Sequence, residues 1–182
     1  MLDIIETSFQ GVYYIKSNSF VDDRGAYMRL FCDKELSPIL NGKHFVNANY
    51  QKTNKAGTIR GLHYQTGEYC ESKLIKCLKG EIFDVIIDIR KNSPTFMKIF
   101  STKLDDTSDY LLFVPEGFAH GFQTLDDATE TIYFTTEYYH PECEGGFNPL
   151  DPSLNIAWPI KNYTLSDKDR NRPYIENERK HE

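Results

Sequence analysis

The sequence predicts an all-β chain: a double-stranded β-helix, or jelly roll, with short peripheral helices. Three observations predict it. Apolar residues alternate with period two across 73–90. Tyrosine and phenylalanine, twelve each, suit sheet faces better than a helical bundle. Short runs are separated by Gly, Pro and Asp turns, and helical periodicity is weak.

The elements follow in chain order. "GVYYIKSNSFVDDRGAYMRLF" (11–31) reads as two strands around the turn Asp22-Asp23-Arg24-Gly25. Residues 33–41 read as a short helical turn. "TIRGLHYQ" (58–65) reads as strand and turn, with an arginine and a histidine three positions apart. In "KLIKCLKGEIFDVIIDIR" (73–90), Lys79-Gly80 is a turn between two strands. The second strand puts Phe83, Val85, Ile87 and Ile89 on one face and Ile82, Asp84, Ile86 and Asp88 on the other. "YLLFVPEGFAHGF" (110–122) is a strand, a Pro-Glu-Gly turn and a strand. "TETIYFTTEYY" gives a β-branched and aromatic strand centred on 131–139. The tail after Trp158 is polar and is expected to wrap across the surface. No repeat, linker or low-complexity tract interrupts the chain, so residues 1–182 are expected to form one domain with a substantial core.

Composition narrows the function. The net charge of −6 provides no basic field, which argues against nucleic acid as a partner; local arginines still allow an anionic small substrate. Cys32, Cys70, Cys77 and Cys143 form no CxxC pair, and they are expected to be reduced thiols in a cytoplasmic protein. The N-terminus has no basic segment followed by an apolar run, and no apolar stretch approaches the roughly 18 residues of a membrane span.

A jelly roll encloses a cavity at its mouth, lined by alternate strand positions. A metal there needs closely spaced histidines and a carboxylate, such as HxH followed by Glu. His63 and His120 have no such neighbours, so no metal is expected. The polar groups left to enter the barrel are His63, Lys73, His120 and Tyr133. Singly, each has an ordinary reading: a hydrogen-bonded rim histidine, a solvated lysine, a packing tyrosine. Together they are a base near neutral pKa, a cation and a phenol. That set suits proton abstraction α to a carbonyl, with the lysine steadying the enolate oxygen and the phenol returning a proton to the opposite face.

Seven stretches carry a specific resemblance: "DDRGAY" (22–27), "IRGLHYQ" (59–65), "KLIKCLKGEIFDVIIDIRKNSPTF" (73–96), "VPEGFAHGF" (114–122), "YFTTEYYHPECEGG" (133–146), "DPSLNIAWP" (151–159) and "LSDKD" (165–169). In this order they resemble the RmlC family, the dTDP-4-dehydrorhamnose 3,5-epimerases of the cupin superfamily. The resemblance implies a jelly roll, usually a homodimer, acting on a nucleotide-diphospho-4-keto-6-deoxy sugar without metal or redox cofactor. It implies that His63 is the proton acceptor, oriented by Asp169, and that Tyr133 is the donor. Lys73 matches the lysine that meets the sugar's C4 oxygen, and His120 and Glu144 match substrate contacts. Arg60 and Lys168 match contacts that charge assigns to the diphosphate. Tyr139 matches the residue that stacks on the base; it shares parity with Tyr133, so an unbroken strand would put both on one face.

The departures from the family cluster. Its D-x-R-G-F-F-x-E stretch keeps Arg24 and Gly25 here but continues Ala26, Tyr27, Met28, Arg29, so Arg29 reverses the charge of a nucleotide-contacting glutamate. Its Q-D-N stretch is Asn47-Ala48-Asn49. After Glu144 the usual arginine is Gly145, and the following I-R-W is Phe147-Asn148-Pro149. Arg24, Arg29, Asn47 and Asn49 remain expected substrate contacts. The changes fall on the nucleotide side, which implies retained chemistry with an altered handle, for example a GDP-linked 4-keto-6-deoxyheptose. Epimerisation at C3 alone is a further alternative. More distant are a 3,4-ketoisomerase and a non-catalytic binding module.

Overall fold

A computed structural model describes residues 1–175. The expected domain span runs past it at 176–182, which lie outside the described residues. Two antiparallel sheets dominate. The first has the order β1 (Leu2–Glu6), β2 (Tyr13–Ser17), β10 (Tyr110–Val114), β7 (Lys73–Lys79), β12 (Thr129–Thr135), β5 (Asn47–Thr53). The second has the order β13 (Glu144–Gly146), β6 (Ile59–Gln65), β11 (Phe118–Thr124), β8 (Glu81–Asp88), β9 (Ile99–Asp105). This is the expected jelly roll. A separate hairpin, β3 (Phe20–Asp22) and β4 (Gly25–Tyr27), surrounds the Asp-Asp-Arg-Gly turn, and all six of its residues are exposed.

The Lys79-Gly80 and Pro115-Glu116-Gly117 turns are corners between sheets, because β7 and β8, and β10 and β11, lie in different sheets. Gly117 sits at φ +81°, and a Cβ there would stand 2.5 Å from Arg90 Cγ. Period-two alternation then sorts side chains into three apolar layers. Ile75, Cys77, Ile82, Ile86, Leu112 and Phe122 meet between the sheets. Leu74, Leu111, Phe113 and Phe134 face outward from the first sheet, beneath α1 (Asp33–Leu40). That helix carries Leu36 and Leu40 one turn apart, and burying each contributes about 1.5–3 kcal/mol. Its first turn holds Asp33 and Glu35, which favour the helix N-terminus.

Val85, Ile87 and Leu62 face outward from the second sheet, and the tail covers them with Trp158, Leu165 and Ile175. The tail is therefore more than a surface wrap: its scattered apolar residues close one face of the protein. Within it, α2 (Asp167–Arg170) is capped by the Ser166 hydroxyl, which accepts from the Asp169 N–H at 3.1 Å. Among the described residues no helix is long and apolar enough to cross a membrane.

Candidate active site

Both sheets contribute side chains to a cavity of about 660 Å³. Odd-numbered residues of the first sheet enter it: Asn47, Asn49 and Gln51 from β5, Lys73 and Ile75 from β7, and Thr131, Tyr133 and Thr135 from β12. From the second sheet, β11 contributes His120 and Phe122, and β6 contributes Arg60 and His63.

Three positions apart, Arg60 and His63 would face opposite ways on a regular strand. They share the cavity because β6 carries a bulge. His120 pairs with His63 and Phe122 with Arg60, so three steps along β6 match two along β11. Gly61 makes the bulge possible. It sits at φ +114°, and a Cβ would lie 2.6 Å from both Gly121 Cα and His120 O. Gly61→Ala is therefore expected to destabilise the fold by about 1–3 kcal/mol. Thermal unfolding should show this as a drop of roughly 2–4 °C per kcal/mol; an unchanged Tm would contradict the role given to Gly61.

His63 Nε2 donates to Asp169 Oδ1 at 2.5 Å, with the histidine side chain 33% exposed and the aspartate 6%. Burial pushes the Asp169 carboxyl up, but bonds from His63, Ser166 and the Gly61 N–H more than offset it, so it lies below the ordinary range. An ionised carboxylate thus fixes the imidazole tautomer, and Nδ1 has no hydrogen-bond partner among the described residues. Beside it, His120 Nε2 lies 2.8 Å from Asp84 Oδ2, both groups being buried. Lys73 Nζ lies 3.1 Å from Glu71 Oε1, and Arg60 Nε donates to Thr53 Oγ1 at 3.1 Å. Burial raises the Tyr133 phenol, Glu71 raises it further and Arg60 opposes them, so it is protonated at neutral pH. The cavity therefore holds a carboxylate-backed base on one sheet and a protonated phenol on the other.

The mouth is built around Glu144. It accepts from Tyr139 Oη at 2.6 Å and Lys168 Nζ at 2.7 Å, and it pairs with Arg172. Lys168 Nζ also stands 5.9 Å from the Tyr139 ring centroid. Gly145 accommodates the neighbouring aromatic: a Cβ would lie 2.4 Å from the Tyr64 ring, which pairs across from it in register. Asn47 Nδ2 donates to Thr135 Oγ1 and the Glu137 carbonyl at 3.2 and 3.1 Å.

Two expected contacts lie elsewhere. Arg24 is 90% exposed and pairs with Asp22 in its own turn, and Arg29 pairs with Glu35 of α1 at 2.8 Å. Neither lines the cavity of the single chain; Arg24 sits in the turn of the β3–β4 hairpin, which joins neither main sheet, and Arg29 follows that hairpin. Tyr139 reaches the mouth, but not by strand parity: β12 ends at Thr135, and a loop carries Tyr138 and Tyr139 there. Glu71, Asp84, Tyr64 and Arg172 were missed. For Asp84 a signal existed, since a carboxylate in the inward row Ile82, Asp84, Ile86 requires a buried partner. Glu71 and Arg172 read as ordinary surface charges.

All four cysteines are free thiols, and burial pushes the Cys77 thiol up to about 11, which makes it a poor nucleophile at neutral pH. Among the described residues, no group of three or more His, Cys, Asp or Glu side chains is arranged to hold a metal.

A family model described as dTDP-4-dehydrorhamnose 3,5-epimerase matches residues 6–177. The chain is 42% identical to the dTDP-4-dehydrorhamnose 3,5-epimerase of Shigella flexneri over 171 residues, 93% of this chain and 94% of that one. Among solved structures, the Bacillus anthracis dTDP-4-dehydrorhamnose 3,5-epimerase with TDP and PPi bound superposes with a TM-score of 0.91 at 39% identity, covering 96% of this chain and 100% of that one. The Legionella pneumophila dTDP-6-deoxy-D-glucose-3,5-epimerase, in complex with dTDP-4-keto-L-rhamnose, gives 0.90 at 36% identity, covering 97% and 94%.

Proposed function

Because the chain belongs to the dTDP-4-dehydrorhamnose 3,5-epimerase family, we propose that it epimerises C3 and C5 of a dTDP-linked 4-keto-6-deoxy sugar in deoxysugar biosynthesis. It is an isomerase. One observation carries the assignment of roles: a histidine backed by a buried carboxylate and a protonated phenol line one cavity from opposite sheets.

The C4 ketone acidifies the hydrogens at C3 and C5. His63, held by Asp169, removes one through Nδ1, and the electron pair moves onto the C4 oxygen. Lys73 donates a hydrogen bond to that oxygen. Tyr133 then protonates the carbon from the other face, inverting it, and the proton held by His63 returns to the phenolate through solvent. The same cycle serves the second carbon. Arg60 and Lys168 supply charge for the diphosphate, Tyr139 a face for the base, and His120, Glu144, Asn47 and Asn49 polar contacts.

The nucleotide handle is tested by thermal shift with dTDP, GDP, CDP and UDP, since a ligand that binds the folded form raises Tm. The largest shift is expected with dTDP. A shift with GDP alone would move the reading to a GDP-linked 4-keto-6-deoxyheptose. Incubating the enzyme with a dTDP-4-keto-6-deoxyhexose in D2O should place deuterium at both C3 and C5 by NMR. Label at C3 alone would make it a C3-only epimerase.

Residues 1–182 are read as one domain, working as a cytoplasmic homodimer. The four free thiols support a reducing compartment. Dimerisation is supported by the β3–β4 hairpin, which leaves Phe20, Val21 and Tyr27 at 71%, 77% and 65% exposure, an apolar surface that a second copy would cover.

A further inference from the structure

Gln65 lies two residues after His63 on β6 and borders the cavity, yet its side chain is engaged by the protein itself. The residue is 4% exposed. Its Nε2 carries two N–H groups and has three oxygens around it: the Tyr138 carbonyl at 2.9 Å, the Tyr69 carbonyl at 3.1 Å and Glu71 Oε2 at 3.3 Å. Its Oε1 accepts from the His140 N–H at 2.6 Å. One buried carboxamide therefore grips the chain at 138 and at 140, on either side of Tyr139.

Tyr139 needs such a grip. It lies in the loop between β12, which ends at Thr135, and the helical turn Pro141–Cys143, and it is 59% exposed. Its hydroxyl donates to Glu144 at 2.6 Å, and Glu144 is the residue paired with Gln65 across β13 and β6. One rung of that strand pair thus holds Tyr139 at both ends, the hydroxyl through Glu144 and the backbone through Gln65. The grip is itself braced. The His140 ring stacks on Tyr69 with centroids 3.8 Å apart, and Glu71 is paired with Lys73 at 3.1 Å.

We propose that Gln65 is a positioning residue for nucleotide binding: by holding the 138 carbonyl and the 140 N–H, it keeps the Tyr139 ring where a base stacks. The inference rests on the reading of Tyr139 given above. An aromatic side chain on a loose loop must be ordered when the base arrives, which costs affinity; a loop already held avoids that cost. Without the carboxamide, water can reach both backbone groups on this surface loop, so the loop loosens while the sheets stay folded.

Two measurements test this. Gln65→Met keeps the length of the side chain and removes its amide. Calorimetric titration with dTDP is run on wild type, Gln65→Met, Tyr139→Ala and the double variant. Gln65→Met should weaken dTDP binding by about three- to tenfold. In the Tyr139→Ala background it should weaken binding no further, because the two changes remove one interaction. Wild-type affinity in Gln65→Met, a loss larger than that of Tyr139→Ala, or additive losses in the double variant would overturn the inference and leave the role of Tyr139 standing. No dTDP binding by wild type, or no loss in Tyr139→Ala, would remove the reading of Tyr139 and the inference with it. The second measurement needs no variant. In native-state hydrogen exchange of the wild-type protein, the His140 amide should be protected like those of β6, although it lies outside every strand. Exchange as fast as that of an open loop would overturn the inference.

Discussion

His63→Asn is expected to lower turnover by at least about 10²-fold, and by as much as about 10⁴-fold, the usual range for general acid–base assistance. Asparagine keeps a polar group of similar reach but cannot accept a proton from carbon. Asp169 is only 4% exposed and would then keep its ionised carboxylate without the imidazole, so some loss of stability is also expected. The informative comparison is turnover per folded molecule, with folding checked by circular dichroism. Solvent deuterium exchange at C3 and C5 should fall in parallel, because among the described residues lining the cavity the one other imidazole backed by a buried carboxylate is that of His120. Near-wild-type turnover in folded His63→Asn would transfer the base role to His120 and its partner Asp84.

Tyr133→Phe separates the two halves of the reaction. The ring still packs between Asn49 of β5 and Ile75 of β7, its neighbours in register, so the fold should survive. What is lost is the hydroxyl that protonates the second face. Epimerisation should fall by about 10²-fold or more, while His63 continues to remove hydrogen and return deuterium from D2O to the same face. The expected NMR result is labelled substrate of unchanged configuration. Equal loss of exchange and epimerisation would mean that Tyr133 acts in abstraction or binding, and no loss of either would take it out of the chemistry.

Much of this arrangement was legible in the residues. Alternation with period two identified the strands from 73 to 90 and predicted both faces of β8, including the inward row that holds Asp84. The pairing of those strands was not legible, because a Gly or Pro-Glu-Gly turn has the same composition whether the chain folds back on its neighbour or crosses to the facing sheet. The shared orientation of Arg60 and His63 was hidden for a related reason. It depends on one extra residue in β6 opposite β11, and the only local trace is the pair Gly61 and Gly121, whose close approach appears once the strands are aligned. Tyr139 lines the mouth by way of a loop after β12 ends at Thr135, not by the parity it shares with Tyr133. Arg24 and Arg29 line no part of the cavity of the single chain and pair with Asp22 and Glu35. Arg172 came from the tail, where a cation among Asp, Lys and Arg carries no sign of the Glu144 it meets.

The central claim is that base and acid stand on opposite faces of a bound ketose. A crystal structure of His63→Asn with a dTDP-4-keto-6-deoxyhexose tests it most directly. The account predicts the sugar ring between position 63 and the Tyr133 hydroxyl, with the C4 oxygen within hydrogen-bond distance of Lys73 Nζ. A ring bound with both side chains on the same face, or with its C4 oxygen turned away from Lys73, would contradict it.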